Sequence, residues 1–160
     1  MLKYKGFTLV ELIIVIVLIG ILAVVAAPKM SFSAKDANTY EFRDRLLSLL
    51  RHTQLQAIQN TSSTCNRVVI QTGVFGQNNN CSNNSVPSSF TNDFLGLTAN
   101  ENPSAQVSFQ VNNSAINSIF DVRFNALGQP LEDCLGGCTV QIIGEDTLTI
   151  TIEAQGYIHR

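Results

Sequence analysis

The sequence predicts an α+β protein, in which a long N-terminal helix that begins apolar is followed by a head of antiparallel β-sheet. Three observations carry this. Residues 7–27 hold 18 apolar side chains in 21 positions. From 34 to 60, apolar residues recur at intervals of three and four, the period of a helix packed on one side. Beyond position 65 the chain breaks into short alternating or β-branched runs divided by Gly, Asn and Asp.

The apolar block comes first. Residues 12–27 form a stretch of 16 without a charge, preceded by one acid, Glu11, and by Lys3 and Lys5. At about 1.5 Å per residue, the block covers about 30 Å as a helix, the thickness of a bilayer's hydrocarbon core. The two lysines ahead of it keep the N-terminus cytoplasmic. A secretory signal peptide shares the basic start, and Val24-Val25-Ala26 offers it a cleavage site. Its apolar core is normally about 7–15 residues, shorter than this block. An acid within a spanning helix also costs on the order of 2.5–3.5 kcal/mol, so Glu11 is expected to serve a purpose. The sequence thus favours a spanning helix over a cleaved signal. For Glu11 the plain alternative is a side chain that snorkels to the interface.

Pro28 follows, and a kink is expected there, because proline removes one helical hydrogen bond and clashes with the preceding turn. The helical signal then resumes. Phe42, Leu46, Leu49, Thr53 and Ala57 make a stripe that Leu47, Leu50 and Ile58 widen, with Glu41, Arg43, Asp44, Arg45, Arg51 and Gln54 opposite. Residues 7–60 are therefore one long helix and 61–160 the head. In the head, strands are expected at 67–72, 106–111, 119–124, 139–143, 147–152 and 156–159. Phe120, Val122 and Phe124 share one face of their strand, and Ile119, Asp121 and Arg123 the other. The pair 139–143 and 147–152 is a hairpin turned at Gly144-Glu145-Asp146, with Leu148, Ile150 and Ile152 facing in and Thr147, Thr149 and Thr151 out. The Asn/Ser-rich stretch 77–92 is expected to be a flexible, solvated loop.

Four cysteines, Cys65, Cys81, Cys134 and Cys138, form an even set, for which disulfides are the default outside the cytoplasm. Of three connectivities, Cys65–Cys81 and Cys134–Cys138 are favoured, because each closes a sequence-local loop. A zinc site would need a second tight pair beside the C-x₃-C of Cys134 and Cys138, so no metal is expected. No cofactor is expected either. The two histidines, His52 and His159, lie on a helix face and at the C-terminus, where solvated roles are the expectation. There is no G-x-S-x-G, H-E-x-x-H or phosphate-binding glycine loop, and Glu132-Asp133 and Glu145-Asp146 sit at turns where acids are ordinary. An enzyme with a small-molecule substrate is not expected.

Gly6-Phe7-Thr8-Leu9-Val10-Glu11, followed by an uninterrupted aliphatic helix, resembles the signature of type IV pilins and pseudopilins. The resemblance implies a pilin fold and a leader, residues 1–6, cut between Gly6 and Phe7 by a membrane prepilin peptidase, with N-methylation of Phe7. It implies that Glu11 sets register by neutralising the Phe7 amine of a neighbour, and that Leu9, Leu12, Ile16, Leu18, Ile19 and Leu22 pack in a filament core. Partners implied are other major and minor pilins and an inner-membrane assembly platform with its ATPase. The subunit would sit in the bacterial inner membrane with a periplasmic head, and later in an extracellular pilus. The helix from Arg45 to Asn60, then Cys65 and Arg67-Val-Val-Ile, together with Phe124-Asn-Ala-Leu-Gly-Gln-Pro130 and Gly156-Tyr157-Ile158, is similar to the pseudopilin-H/FimT group. Ala27-Pro28-Lys29 is similar to MSHA-type (mannose-sensitive haemagglutinin) pilins. These similarities imply a minor pilin used in attachment, with an H-type pseudopilin of type II secretion as the alternative.

Charge bears on two further expectations. Residues 28–67 carry six basic and three acidic side chains, whereas 68–160 carry two basic and eight acidic. Some FimT-type subunits bind DNA through a basic tail, but this acidic head would repel phosphate, so nucleic acid is not an expected partner. A basic helix flank and an acidic head would instead let neighbouring subunits order themselves by charge.

Overall fold

The computed structural model describes residues 8–26, 34–59, 65–92 and 95–160. The chain falls into two units, Met1–Ser33 and Ala34–Arg160.

The first unit holds helix α1 (Leu9–Ala26), 18 residues long. Its length as a helix is about 27 Å, and among the described residues no helix is long and apolar enough to cross a membrane. Phe7 and Ala27, which would complete the expected 21-residue span, lie outside the described residues, as do Gly6, Pro28 and the kink expected there.

The second unit is built on helix α2 (Ala34–Gln59), 26 residues. The predicted stripe is its buried side: Phe42, Leu46, Leu47, Leu49, Leu50 and Thr53 are buried and Ala57 is half-buried. Each fully buried Leu or Phe contributes about 1.5–3 kcal/mol relative to exposure, enough to outweigh the helix's many polar residues. Ile58 departs from the pattern. It is 45% exposed, at the end of the helix beside the turn at Gly128.

The head strands are β1 (Arg67–Ile70), β2 (Phe75–Asn78), β3 (Gly96–Leu97), β4 (Ser108–Val111) and β5 (Ser114–Ala115). They continue as β6 (Phe120–Phe124), β7 (Pro130–Glu132), β8 (Gly137–Ile143), β9 (Thr147–Glu153) and β10 (Ile158–His159). They make two five-stranded antiparallel sheets rather than one, in the orders β3-β2-β1-β6-β7 and β10-β9-β8-β4-β5. Four of the strands, β2, β3, β5 and β7, are two to four residues long and show no alternation that a sequence pattern detects. Gln77 and Asn78 thereby belong to β2 and not to the loop that follows it.

Both sheets pack on α2, so their strands share a single core with Leu46, Leu49 and Leu50. Phe75 of β2 and Phe109 of β4 meet edge-to-face, with centroids 5.3 Å apart and planes at 88°. Beside them the Phe109 N–H donates to the Thr72 carbonyl at 2.8 Å. The β8–β9 hairpin has the expected turn and register, with Ile143 opposite Thr147 and Ile142 opposite Leu148. Ile150 and Ile152 are buried, Leu148 is half-buried, and Thr147 and Thr149 face solvent.

Asn102 is a polar residue of this core that periodicity does not mark. It is 4% exposed. Its Nδ2 donates to the carbonyls of Gly73 at 2.7 Å and Val107 at 2.6 Å, and its Oδ1 accepts the Val107 N–H at 3.1 Å. Replacing it strands buried groups, each costing about 1–3 kcal/mol. Asn102→Ala is expected to lower stability by about 2–3 kcal/mol, read as a lower urea midpoint at unchanged slope.

Candidate assembly surfaces

Helix α1 begins at a side-chain cap. Thr8 precedes its first residue, the Glu11 N–H donates to Thr8 Oγ1 at 3.3 Å, and the Leu12 N–H donates to the Thr8 carbonyl at 3.2 Å. Thr8-Leu9-Val10-Glu11 is thus the S/T-x-x-E pattern of a capping box, a local signal not weighed in the expectations for Glu11. A carboxylate in the first turn also opposes the positive end of the helix dipole. Beyond Glu11 the helix is apolar on every side. Leu9, Leu12, Ile16, Leu18, Ile19 and Leu22 are all more than half exposed in the single chain. A helix apolar all round is stable in water only when something covers it.

The head presents a different surface. The structure joins Cys65 to Cys81 and Cys134 to Cys138. The loop after β2, expected to be flexible, is tied at four places. The first tie is Cys65–Cys81. The second is Arg67, 1% exposed, whose Nη1 donates to Asn84 Oδ1 at 2.9 Å and Asp121 Oδ2 at 2.8 Å. Its Nη2 donates to the carbonyl of Asn80 at 2.8 Å and to that of Asn83. The third is buried Asn78, whose Nδ2 donates to the Asn83 and Ser85 carbonyls, both at 2.8 Å. The fourth is Phe90, whose ring lies on Gly76 of β2 and Gly96 of β3, two glycines paired across the sheet. A Cβ at either glycine would overlap that ring.

A groove of about 530 Å³ runs beside this loop, lined by Asn84, Asp121, Arg123, Glu132 and Asp133 among others. Asp121 accepts from both Arg67 and Arg123, the latter at 3.0 Å, and Arg123 reaches Glu132 at 3.4 Å. The Asp133 carboxylate accepts the Asp121 N–H at 2.8 Å and so satisfies β6 just past the end of its pairing with β7. The groove is an ion ladder without a nucleophile–base pair. Among the described residues no group of three or more His, Cys, Asp and Glu side chains is placed to hold a metal ion.

Several basic residues of the helix flank have partners within the chain. Four of the six basic residues counted on the helix flank are engaged within the second unit. Arg67 is buried; Arg43 pairs with Asp44 at 3.0 Å, and Arg45 with Glu101 at 2.8 Å. Arg51 donates to the Ile158 carbonyl at 2.9 Å, and Arg160 returns to Asp44 at 3.2 Å. Burial raises the Glu101 carboxyl, but the Thr98 N–H, the Arg45 guanidinium and the Thr98 hydroxyl outweigh it and hold the group below its ordinary value. At the surface, hydrogen bonds to Glu153 and to the Arg160 carbonyl raise His159 above its ordinary value.

Residues 1–27 match the family model described as the prokaryotic N-terminal methylation motif. A stretch of 66 residues, 41% of this chain, is 38% identical to the type IV wide pilus major component PilA4 of Thermus thermophilus. That stretch spans half the length of the relative. Among solved structures, the type IV minor pilin FimU of Pseudomonas aeruginosa aligns with a TM-score of 0.43 at 12% identity, over 75% of this chain and 87% of that one.

The Glu101 geometry sets a direction with pH. A carboxyl held low in the folded state stabilises above its unfolded value, near 4.5, and that contribution disappears as pH falls through the folded value. Wild type is expected to be more stable than Glu101→Gln at pH 7, with the gap closing below pH ~4.5 in urea titrations.

Proposed function

We propose that this chain is a non-enzymatic subunit of a type IV filament, held in the membrane as a precursor and polymerised through its N-terminal helix. The observation that carries this reading is the methylation motif over residues 1–27, placed on a helix with twelve large aliphatic side chains that are 41–74% exposed. Burying one such side chain fully is worth about 1.5–3 kcal/mol, so a dozen together demand a partner environment. Lipid supplies it before assembly. The helices of neighbouring subunits supply it afterwards.

Cleavage after Gly6 would leave a positive amine on Phe7, four residues before Glu11. In a stack of parallel helices, Glu11 of one subunit neutralises the Phe7 amine of the next. Two paired charges in an apolar core cost less than either alone, and the pairing fixes axial register more than it adds stability. Leu9, Leu12, Ile16, Leu18, Ile19 and Leu22 then pack in the filament core. Partners under this reading are major and minor pilins, a prepilin peptidase, and an assembly platform with its ATPase. In the sequence, Pro28 closes the apolar run, and a proline there favours a helix kink.

The finer reading is a minor subunit of an MSHA-type pilus acting in surface attachment, supported by Ala27-Pro28-Lys29 taken together with the segments similar to the pseudopilin-H/FimT group, at 45–70, 124–130 and 156–158. The second reading is an H-type pseudopilin of a type II secretion apparatus, to which the same H/FimT-like segments are equally open. The composition of filaments sheared from the producing cell separates the two.

Two measurements test the main proposal. Mass spectrometry of the mature protein is expected to find N-methylated Phe7 at its start, and a start near Ala27 would instead mark a secreted domain. Glu11→Ala is expected to leave the protein in the membrane fraction while lowering its incorporation into filaments about tenfold, equivalent to ~1.4 kcal/mol.

A further inference from the structure

The buried guanidinium of Arg67 is surrounded by oxygen. Asp121 Oδ2 at 2.8 Å, Asn84 Oδ1 at 2.9 Å, the Asn80 carbonyl at 2.8 Å and the Asn83 carbonyl converge on it from two parts of the chain. The other carboxylate oxygen, Asp121 Oδ1, is buried and has no hydrogen-bond partner among the described residues. One carboxylate, one carboxamide and two main-chain carbonyls, all from a short Asn-rich loop and a neighbouring strand, are the donor set of a hard divalent cation site. No nitrogen or sulfur ligand is among them, which disfavours softer metals.

The cage also has supports besides Arg67. The Cys65–Cys81 disulfide closes the loop, and Asn78 holds the Asn83 and Ser85 carbonyls while its own Oδ1 accepts the Asn80 N–H at 2.7 Å. Asp121 is also held by Arg123, whose Nη2 donates to the same Oδ2 at 3.0 Å, and through its N–H by Asp133. Glu132, 3.4 Å from Arg123, offsets that second positive charge. The oxygens thus keep much of their convergence when the guanidinium is taken away. Calcium's variable coordination of about 6–8 oxygens tolerates a cage spaced for N–H donors, with water completing the shell.

We propose that this cage is a calcium-type site whose resident cation is the chain's own Arg67, and that truncating Arg67 opens it to calcium. The inference is independent of the filament reading. Its consequence is that the wall of the 530 Å³ groove, to which Cys81 and Asn84 belong, keeps its shape whatever the calcium level around the protein. An internal cation replaces a dissociable one.

The test uses the full chain in detergent with its disulfides intact, melted by circular dichroism in EGTA and in 10 mM calcium chloride. Wild type is expected to melt at the same temperature in both. Arg67→Ala is expected to melt lower than wild type in EGTA and to gain about 5 °C in calcium, the shift that millimolar affinity for the folded state produces. Sodium chloride at equal ionic strength should give no gain, and adding Asp121→Asn to Arg67→Ala should abolish the calcium gain. A wild-type midpoint that drops in EGTA would overturn the proposal, since a bound metal would then already be present. So would an Arg67→Ala midpoint unmoved by calcium, the absence of a cooperative melt in either buffer, or a calcium gain that survives Asp121→Asn.

Discussion

Helix α2 has one apolar side to bury, and the head is arranged around that requirement. Leu46, Leu49 and Leu50 are fully buried, and strands from both sheets contribute to the cluster that covers them. Neither sheet would be stable alone, because several of its strands are only two to four residues long. The helix supplies the apolar area that such fragments lack, and it makes one core of two sheets. Phe75 and Phe109 join the sheets where they meet.

Once that core exists, polar groups caught within it have to be matched. Asn102 closes one loop with three hydrogen bonds, and Arg67 with Asn78 closes another. These residues turn polar segments into fixed surfaces, since each buried donor or acceptor left without a partner is costly. The long Asn/Ser stretch is rigid for this reason: its carbonyls are drawn inward to a guanidinium and a carboxamide. Charge is settled in the same way. Arg43, Arg45 and Arg51 tie α2 to itself, to the loop at Glu101 and to β10.

The N-terminal helix poses the opposite problem. Its sequence is uniformly aliphatic after Glu11, and no face is distinguished from another. A helix of that kind needs apolar cover and accepts it from every direction. The Thr8 cap and the Glu11 carboxylate in the first turn mark the start of an element that is otherwise uniform. The chain thus divides its physics, with specificity in a packed head and cohesion in an undifferentiated helix.

Much of this is legible in the sequence, for identifiable reasons. The α2 stripe, the β8–β9 hairpin and the alternation of β6 are local patterns, and side-chain periodicity reports them directly. The Thr8-to-Glu11 cap is equally local and can be read from four residues. The division into two sheets is not local, because it depends on β4 pairing with β8 and carrying β5 with it, and no short window contains that choice. The fate of Arg67 is hidden for the same reason. In sequence it is one basic residue beside a helix flank, and its carboxylate partner lies 54 positions away. The sequence by itself determined the elements whose signals repeat within a turn or a strand, and the apolar helix that must find cover. Tertiary structure alone decided which charges are buried, which loop is rigid and how the sheets divide, since these depend on groups far apart in the chain losing water together.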